Sequence, residues 1–445
     1  MGSITLTEIN FRLGWPNPGL LPVDLIKEAS QIALSQSENF TRESLLQYGP
    51  DDGYVLLREK IAGWLTSFYA PERAITQERL CITGGASQNL SCVLQSFTEP
   101  SVTQFIWMVA PTYFCACRVF DDAGFAGRLR AVPEDDEGID IGYLAEQLER
   151  CASQEQIPKD SMKTFRTWSK FYRHVIYTVP TFANPSGRIM SLARREALVR
   201  LARKHDALIV SDDVYDMLQW DCHASKEFKL RKTACQSRFV DIDAHLDGGP
   251  IDDFGNSMSN GTFSKIMGPG LRTGWAEGTP KFAWGLSQTG STRSGGCASQ
   301  FGAAILAQLI DTSLPSYLHT VLQPTYARRY YKLISAIKEY LLPLGVAVSP
   351  PDKSGMAGGY YVWLQLPDHV KVQQVVQLAS EQNLLLHPGS MFLVEADLSK
   401  CQQSFLNGVR VCFVWADEDL LIEGVERLAV IVRALSVDTI PTLAL

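Results

Sequence analysis

Short apolar runs that end in glycine or polar turns, and that alternate with helical patterns, constrain the fold of this chain more than any other feature. Residues 80–83, Leu-Cys-Ile-Thr, form such a run and stop at Gly84-Gly85. After the turn, apolar residues recur at the i, i+3, i+4, i+7 spacing of a buried helix face, at Leu90, Val93, Leu94 and Phe97. This order of strand, glycine turn and helix is typical of a mainly parallel sheet with crossover helices.

Further apolar runs predict more strands of the same sheet at residues 105–110, 175–179 and 207–210. Between the last two, residues 192–204 have the pattern of an amphipathic helix. The sequence therefore predicts the α/β class. In sheets of this kind ligands collect beyond the carboxyl ends of the strands, so we expect a binding site there.

The pattern changes beyond about Pro324. A long helix through Tyr340 leads to a Pro/Gly-rich stretch, two strands at 360–366 and 409–414, and a closing helix. This indicates a second, smaller α+β domain, so we predict a large domain over residues 46–323 and a small domain over 324–445. Residues 1–45, with a helix near 24–34, are expected to form an N-terminal arm that folds back onto the small domain.

Composition bears on partners and compartment. The 445 residues carry a formal net charge of −7, and no long Lys/Arg run creates a basic surface, so nucleic acid is not expected as a partner. No basic segment followed by an apolar stretch opens the chain, and no apolar run reaches the ~18 residues of a membrane span. The ten cysteines lack the paired C-x-x-C spacing of a zinc site. We expect reduced thiols, no metal, no membrane partner and a cytoplasmic location.

Two segments, 152–170 and 221–255, exceed normal loop length in a compact domain. Long loops in enzymes serve as lids or interface elements, and a solvated insertion is an equal alternative. The sequence assigns neither segment a role.

One lysine lies among hydroxyls, glycines and an arginine. The segment Asn260-Gly261-Thr262-Phe263-Ser264-Lys265 is followed by Gly268-Pro269-Gly270-Leu271-Arg272. Such a set suits an aldehyde cofactor that carries a phosphate, because Lys265 could form a Schiff base with the aldehyde. Thr262, Ser264 and Arg272 could hold the phosphate through hydroxyl bonds and a guanidinium fork. The segment resembles the cofactor-lysine segment of pyridoxal-phosphate aminotransferases of fold type I.

The resemblance to class I/II aminotransferases extends from about Phe11 to Val432, with the family's motifs in the family's order. It implies fold type I, in which a large domain with a mainly parallel sheet flanked by helices is joined to a smaller α+β domain. It also implies pyridoxal 5'-phosphate as the cofactor. The pattern is most similar to the branch that handles aromatic amino acids, kynurenine and 2-aminoadipate.

Three turns after predicted strands match family elements around the cofactor. In Thr83-Gly84-Gly85-Ala86-Ser87-Gln88, backbone N–H groups at a helix N-terminus would meet the phosphate, and the residues carried over are Ala86, Ser87 and Gln88. Tyr113, after Ala110-Pro111-Thr112, has the position of the ring that stacks on the pyridine. Asn184, before Pro185, matches the asparagine that hydrogen-bonds the phenolic oxygen and borders the substrate.

Two adjacent carboxylates, Asp212 and Asp213, follow a buried strand. This placement costs several kcal/mol unless a charged partner is present, and a protonated pyridine nitrogen would be one. The resemblance selects Asp212 for that nitrogen and Tyr215 for the phenolic oxygen. Asp213 is the second choice, since a shift of one residue turns a side chain to the opposite face of a strand. Helix N-capping by one of the pair is the structural alternative.

Arg410 lies inside an otherwise apolar strand, where an unpaired guanidinium would be costly, so an anion should meet it. The resemblance implies that Arg410 clamps the substrate α-carboxylate, with a structural salt bridge as the alternative. Tyr48 resembles the tyrosine that reaches the cofactor phosphate of the neighbouring subunit, which implies a homodimer with shared active sites. Gly14 matches a glycine close to bound substrate.

The implied reaction moves an amino group from an L-amino acid, aromatic or 2-aminoadipate-like, to a 2-oxo acid such as 2-oxoglutarate by a ping-pong mechanism. Lys265 would also be the general base, with Asp212 and Tyr215 supporting the cofactor. Elimination, γ-replacement or carbon–carbon bond formation from the same residues is the alternative. A ligand-sensing transcription regulator is a further alternative. Such regulators carry a DNA-binding domain before the aminotransferase-like part, whereas here the aminotransferase pattern starts by about Phe11.

Overall fold

The computed structural model describes residues 6–35, 45–152, 163–223, 231–349, 355–394, 397 and 403–437. Within these ranges the strands are β1 (Ile9–Asn10), β2 (Leu80–Thr83), β3 (Phe105–Ala110), β4 (Leu129–Asp135), β5 (Gly138–Ile139), β6 (His174–Thr178), β7 (Ala207–Ser211), β8 (Gln219–Asp221), β9 (Ser257–Thr262), β10 (Gly274–Glu277), β11 (Ala347–Val348), β12 (Met356–Gly358), β13 (Tyr361–Gln365), β14 (Leu384–Leu385), β15 (His387–Pro388) and β16 (Gly408–Cys412).

The helices in the same ranges are α1 (Val23–Ser35), α2 (Val55–Tyr69), α3 (Ala86–Phe97), α4 (Phe114–Phe120), α5 (Ile141–Ala152), α6 (Leu192–Lys204), α7 (Phe239–His245), α8 (Pro280–Ser287), α9 (Gly290–Arg293), α10 (Gln300–Leu309), α11 (Leu314–Tyr317), α12 (Gln323–Ala336), α13 (Val372–Glu381) and α14 (Leu420–Val437). None of the helices in the described part of the chain has both the length and the apolar content needed to cross a membrane.

An eight-stranded sheet in the order β2-β10-β9-β7-β6-β3-β4-β5 forms the centre of the fold. The neighbours from β9 through β7, β6 and β3 to β4 pair in parallel, whereas β10 is antiparallel to both β2 and β9. This confirms the predicted α/β class with a mainly parallel sheet. The predicted order of strand, glycine turn and helix is also confirmed, as β2, Gly84-Gly85 and α3.

The side chains of β7 alternate between two apolar clusters, because successive residues of a strand point to opposite faces. Leu208 and Val210 pack in one cluster with Tyr177 of β6. Ala207 and Ile209 pack in the other, which includes the buried face of α6. Both faces of the strand are therefore covered, and the same alternation decides where the two carboxylates after β7 point.

A second sheet, β11-β13-β16-β15, is antiparallel, as the predicted α+β part requires. The predicted long helix is confirmed as α12, which continues in a wider turn over Ile337–Leu341. At the N-terminus, β1 pairs in parallel with β14, while α1 packs on α10. The domain boundaries drawn from the sequence stay a prediction.

The segment 221–255 is not the continuous loop that its polar composition predicts. Its described part contains α7 and a short 3-10 turn, Leu246–Gly248. Arg238 at the start of α7 is fully buried and pairs with Asp241 in the first helical turn, so charged residues are part of the packed helix. Residues 224–230 of this segment, and 153–162 of the segment 152–170, lie outside the described residues.

Candidate active site

A cavity of about 520 Å³ opens beyond the carboxyl ends of β6, β7 and β9. Most of the predicted site residues line it: Gly14, Ala86, Ser87, Tyr113, Asn184, Asp212, Tyr215, Thr262, Ser264, Lys265, Arg272 and Arg410. These residues come from segments nearly 400 positions apart, between Gly14 and Arg410. The cavity lies at the edge of the sheet where ligands of parallel α/β folds collect.

Lys265 lies in the turn that follows β9. Its Nζ donates a hydrogen bond to the Gly14 carbonyl oxygen at 2.8 Å and lies 5.2 Å from the centre of the Tyr360 ring. Burial, with a smaller contribution from the charge of Arg410, lowers the pKa of Lys265 to about 8. The neutral amine is the nucleophilic form, and a lowered pKa makes it available near neutral pH.

Asp212 and Asp213 point to opposite sides of β7. Oδ2 of Asp212 accepts a hydrogen bond from the Tyr177 hydroxyl at 2.7 Å, and Oδ1 accepts one from Nδ2 of Asn260 at 3.1 Å. Asp213 is instead bonded by the hydroxyls of Ser211 and Ser259. Burial raises the pKa of Asp212 to about 6. Of the two carboxylates, Asp212 therefore faces the cavity, and both are held by side chains rather than by helix N–H groups.

Arg410 on β16 is buried beside the cavity with neutral partners. Its Nη1 donates to Oδ1 of Asn184 at 2.9 Å, and its Nη2 donates to the Arg12 carbonyl oxygen at 2.5 Å. Nε is buried and has no partner among the described residues. The guanidinium also lies 4.1 Å from the centre of the Tyr361 ring. A buried cation bonded only to neutral groups can bind an anion. No carboxylate of the described residues forms the salt bridge with Arg410 that was the alternative interpretation.

The turn before α3 and Arg272 approach each other closely. Nη2 of Arg272 donates to the Gly84 carbonyl oxygen at 2.8 Å. Gly85 has φ +96°, a backbone conformation that favours glycine, and a Cβ there would lie 2.9 Å from Nη2 of Arg272. Gly85 supplies no side-chain cap to α3, which leaves the first N–H groups of the helix, from Ala86, available to an anion.

The hydroxyls of Thr262 and Ser264 line the cavity together with Arg272 and the start of α3. Thr262 Oγ1 lies 3.0 Å from Ser264 Oγ and accepts a hydrogen bond from the Ser264 N–H at 3.1 Å. Hydroxyls, a guanidinium and free helix N–H groups together are the donors that a phosphate dianion requires. The residues present therefore fit the phosphate of the predicted cofactor.

Two of the remaining predicted residues, Tyr215 and Gly14, lie next to Tyr361. The Tyr215 hydroxyl lies 3.4 Å from the Tyr361 hydroxyl. A Cβ at position 14 would lie 1.9 Å from the Tyr361 hydroxyl oxygen, so Gly14 is the residue that permits this close approach. Tyr113 lies at the start of α4, and burial raises its pKa above the usual range.

Gln88 and Tyr48 do not line the cavity. The Gln88 side chain accepts a hydrogen bond from the Gly84 N–H at 2.9 Å and donates to Cys92 Sγ at 2.9 Å, so it braces the glycine turn. Tyr48 is 83% exposed. Their predicted contacts with the cofactor stay predictions.

Several residues of the cavity were not predicted from the sequence, namely Arg12, Tyr177, Asn260, Tyr361 and His387. A local signal existed for Asn260, since it is two positions before Thr262 on β9 and therefore shares its face. Tyr177 is a polar-tipped residue near the end of an apolar strand. For Arg12 and His387 the cavity position depends on long-range pairing with β16, which no local pattern reports.

The chain is similar to known proteins over nearly its whole length. The family model described as aminotransferase class I and II matches residues 13–428. The chain is 33% identical to an uncharacterized protein of Saccharomyces cerevisiae, over 94% of this chain and 95% of that protein. It is 27% identical to aromatic-amino-acid aminotransferase 1 of Thermococcus litoralis, over 96% of this chain and 88% of that protein.

Among solved structures, the chain is similar to the kynurenine aminotransferase of Pyrococcus horikoshii, crystallised in complex with PMP. The TM-score is 0.74 and the sequence identity is 27%, with 96% of this chain and 91% of that chain covered. The likeness therefore extends over both the eight-stranded and the four-stranded sheet.

Proposed function

Because the chain belongs to the class I and II aminotransferase family, we propose that it moves the amino group of an aromatic or 2-aminoadipate-like L-amino acid to a 2-oxo acid such as 2-oxoglutarate. The chain is a pyridoxal-phosphate-dependent enzyme of fold type I and carries out amino-acid transamination. The named activities of its relatives support the substrate classes. The observation that carries the proposal is a single cavity that joins Lys265, Asp212 and Arg410.

Pyridoxal phosphate, when bound, supplies the aldehyde that takes up the amino group and the ring that accepts the electron pair left at the substrate carbon. The polar surface of Thr262, Ser264 and Arg272 supports a role in holding the phosphate, together with the N–H groups of Ala86 and Ser87. In this proposal Gln88 orders that turn through its bond to Gly84.

Asp212 is the carboxylate that would keep a proton on the ring nitrogen. Its side-chain partners Tyr177 and Asn260 fix its orientation, and a cation beside it would favour the ionised form that burial alone disfavours. Asn184 and Tyr215 are proposed to contact the phenolic oxygen, and Tyr113 to stack on the ring.

Arg410 would bind the α-carboxylate with the N–H capacity that its neutral partners leave free, and Gly14 and Asn184 would border the substrate. This orients the α-carbon toward Nζ of Lys265. The neutral form of Lys265, favoured by its burial, would then remove the α-proton and return a proton to the cofactor side.

The proposed assembly is a homodimer in the cytoplasm in which Tyr48 reaches the phosphate of the neighbouring subunit. The 83% exposure of Tyr48 supports this, because a large aromatic side chain at the surface is available to a partner. The predicted division into residues 46–323 and 1–45 with 324–445 is part of the same proposal.

The test is the absorbance spectrum of the purified protein before and after single amino acids are added without any 2-oxo acid. The account predicts loss of the cofactor band near ~420 nm and growth of a pyridoxamine band with aromatic or 2-aminoadipate-like donors. Consumption of the band without pyridoxamine would favour elimination, γ-replacement or bond formation. Lys265→Ala should abolish both changes, whereas Lys281→Ala, which removes a surface lysine paired with Asp253, should keep them.

A further inference from the structure

Asn89 is a polar residue in the first turn of α3 that is buried outside the cavity. Its side chain is fully buried on a helix whose other buried residues include Leu90 and Val93. Burying an amide costs free energy unless its polar groups are hydrogen-bonded. The side-chain oxygen of Asn89 has no partner among the described residues, so the bond that its Nδ2 group makes is the contact that orients this side chain.

The partner of that group is Asn260 on β9, which links Asn89 to the cavity. Nδ2 of Asn89 donates to Oδ1 of Asn260 at 2.7 Å. Nδ2 of Asn260 in turn donates to the Ala86 carbonyl oxygen and to Oδ1 of Asp212, each at 3.1 Å. One amide group thus connects the start of α3 with the carboxylate that follows β7.

The partners select one orientation of each amide. The Ala86 carbonyl and the ionised Asp212 carboxylate can only accept, so the NH2 group of Asn260 must face them. The oxygen of Asn260 then faces Asn89, which presents its own NH2 group. If the Asn260 amide turned over, its oxygen would meet two other oxygens. Asn89 therefore fixes which end of Asn260 meets Asp212.

The N–H group of Asn260 favours the charged form of Asp212. Burial raises the pKa of this carboxyl to about 6, and the hydrogen bonds from Tyr177 and Asn260 act in the opposite direction. A carboxylate that accepts two donors is less basic, so a proton shared with the ring nitrogen of the cofactor would stay on the nitrogen. Of these two donors, Asn260 is the one that Asn89 orients.

We infer that Asn89 is a positioning residue for the ring nitrogen of the cofactor, because it keeps the N–H group of Asn260 on Asp212. The inference rests on the proposed function, in which Asp212 meets the ring nitrogen and the N–H groups of Ala86 and Ser87 meet the phosphate. The NH2 group of Asn260 bonds both Ala86 and Asp212, so it also sets the spacing between the two ends of the cofactor site. Asn89 does not line the cavity, and its effect passes through Asn260.

The test compares pyridoxamine phosphate with its 1-deaza analogue, in which a carbon replaces the ring nitrogen. The full-length protein is loaded with either molecule, and displacement by excess pyridoxal phosphate is followed by absorbance. Since breaking a buried ion pair is equivalent to roughly 10²- to 10³-fold, the analogue should leave the unaltered protein faster by about that ratio. Both molecules carry the same phosphate, so general damage to the cavity changes both rates alike and leaves the ratio unchanged.

The variants remove one donor at a time. Asn260→Leu should lower the ratio by ~10- to 100-fold, the equivalent of a hydrogen bond to a charged group. Asn89→Leu keeps the volume and removes the donor, and it should lower the ratio by ~2- to 10-fold, because Asn260 can then turn away from Asp212. Asn89→Ala should act in the same direction, which separates loss of the donor from a change of packing. The double variant Asn89→Leu/Asn260→Leu should match Asn260→Leu alone, since the two residues act as one unit.

Asn256→Ala is the matched control for Asn89→Ala. Asn256 is also buried, and its Nδ2 donates to the Ala207 carbonyl oxygen at 2.9 Å, away from the cavity. This variant should keep the ratio of the unaltered protein.

The outcomes separate the inference from the proposed function. If the unaltered protein shows the ratio, and either Asn260→Leu or the two Asn89 variants keep it, the inference is wrong and the proposed function stands. A double variant with a ratio well below that of Asn260→Leu would also overturn the inference, because Asn89 would then act by another route. If the unaltered protein releases both molecules at the same rate, Asp212 does not meet the ring nitrogen, and that part of the proposed function fails together with the inference.

Discussion

The cavity and the buried ion network behind β7 satisfy their charged side chains in different ways. The ion network consists of Arg79, Arg238, Asp241 and Glu277. Within it, Arg238 donates to both oxygens of Asp241, at 2.9 and 3.0 Å, and to Glu277 at 2.6 Å. In the cavity, Arg410 is nearly as buried but bonds an amide oxygen and a backbone carbonyl. Arg238 is thus matched by carboxylates within the fold, whereas Arg410 lines the cavity without a carboxylate partner among the described residues and can bind an anion.

Two adjacent carboxylates also differ. Asp212 lines the cavity, whereas Asp213 lies on the other side of the strand, where burial raises its pKa and the hydroxyls of Ser211 and Ser259 act in the opposite direction. Position along the chain therefore says little about role at the end of a buried strand. The face on which a side chain emerges decides between chemistry and stability.

The largest effect is expected from removing an arginine of the ion network. Arg238→Met leaves the Asp241 carboxylate buried without its cation, although Glu277 keeps its ion pair with Arg79, and breaking such a buried pair costs ~3–5 kcal/mol of unfolding free energy. Arg410→Met leaves only neutral acceptors, which cost about 1–3 kcal/mol. Urea unfolding of the cofactor-free proteins measures both. Equal losses, or a larger loss for Arg410→Met, would remove the distinction between the two regions.

The two carboxylates should divide activity from stability. Asp212→Asn removes the charge opposite the ring nitrogen, and kcat/KM should fall by roughly 10²- to 10³-fold, the equivalent of breaking a buried ion pair. Asp213→Asn, of the same shape, should change kcat/KM by less than about tenfold, since its partners are Ser211 and Ser259 rather than the cavity. Steady-state kinetics with one donor and one acceptor decides the point, and a reversed order would assign the ring nitrogen to Asp213.

A smaller effect concerns pH and Lys265. Its pKa is lowered to about 8, so the reactive neutral amine is present above that pH and is lost as the pH falls through it. Capture of pyridoxal phosphate by the cofactor-free protein should therefore slow about tenfold for each pH unit below 8 and level off above it. Stopped-flow absorbance follows the reaction. A rate that continues to rise toward pH 10 would mean that burial does not lower this pKa.

Local periodicity predicted the elements that position the site. The strand at 105–110 and the helix at 192–204 have the same bounds in the structure, because apolar spacing reports burial within one element. Thr262, Ser264 and Arg272, which line the cavity with Lys265, were also predictable, since they lie within a dozen positions of it in sequence.

Long-range pairing accounts for what the sequence did not predict. Arg12 and His387 reach the cavity because the chain after β1 bonds β16, and because β15 pairs with the same strand. The helix α7 was missed because its charged residues, Arg238 and Asp241, read as solvent-exposed until their mutual pairing is known. The hydrogen bond that Gln88 accepts from the Gly84 N–H was not predicted either, because it depends on the geometry of the turn.

The central claim is that the cavity binds pyridoxal phosphate covalently through Lys265. Borohydride reduction of the cofactor-loaded protein, followed by peptide mass spectrometry, tests it directly because reduction makes the bond permanent. The account predicts a phosphopyridoxyl group on the peptide that contains Lys265 and none after prior treatment with an amino donor. A phosphopyridoxyl group on another lysine, in a protein that still transaminates, would contradict it.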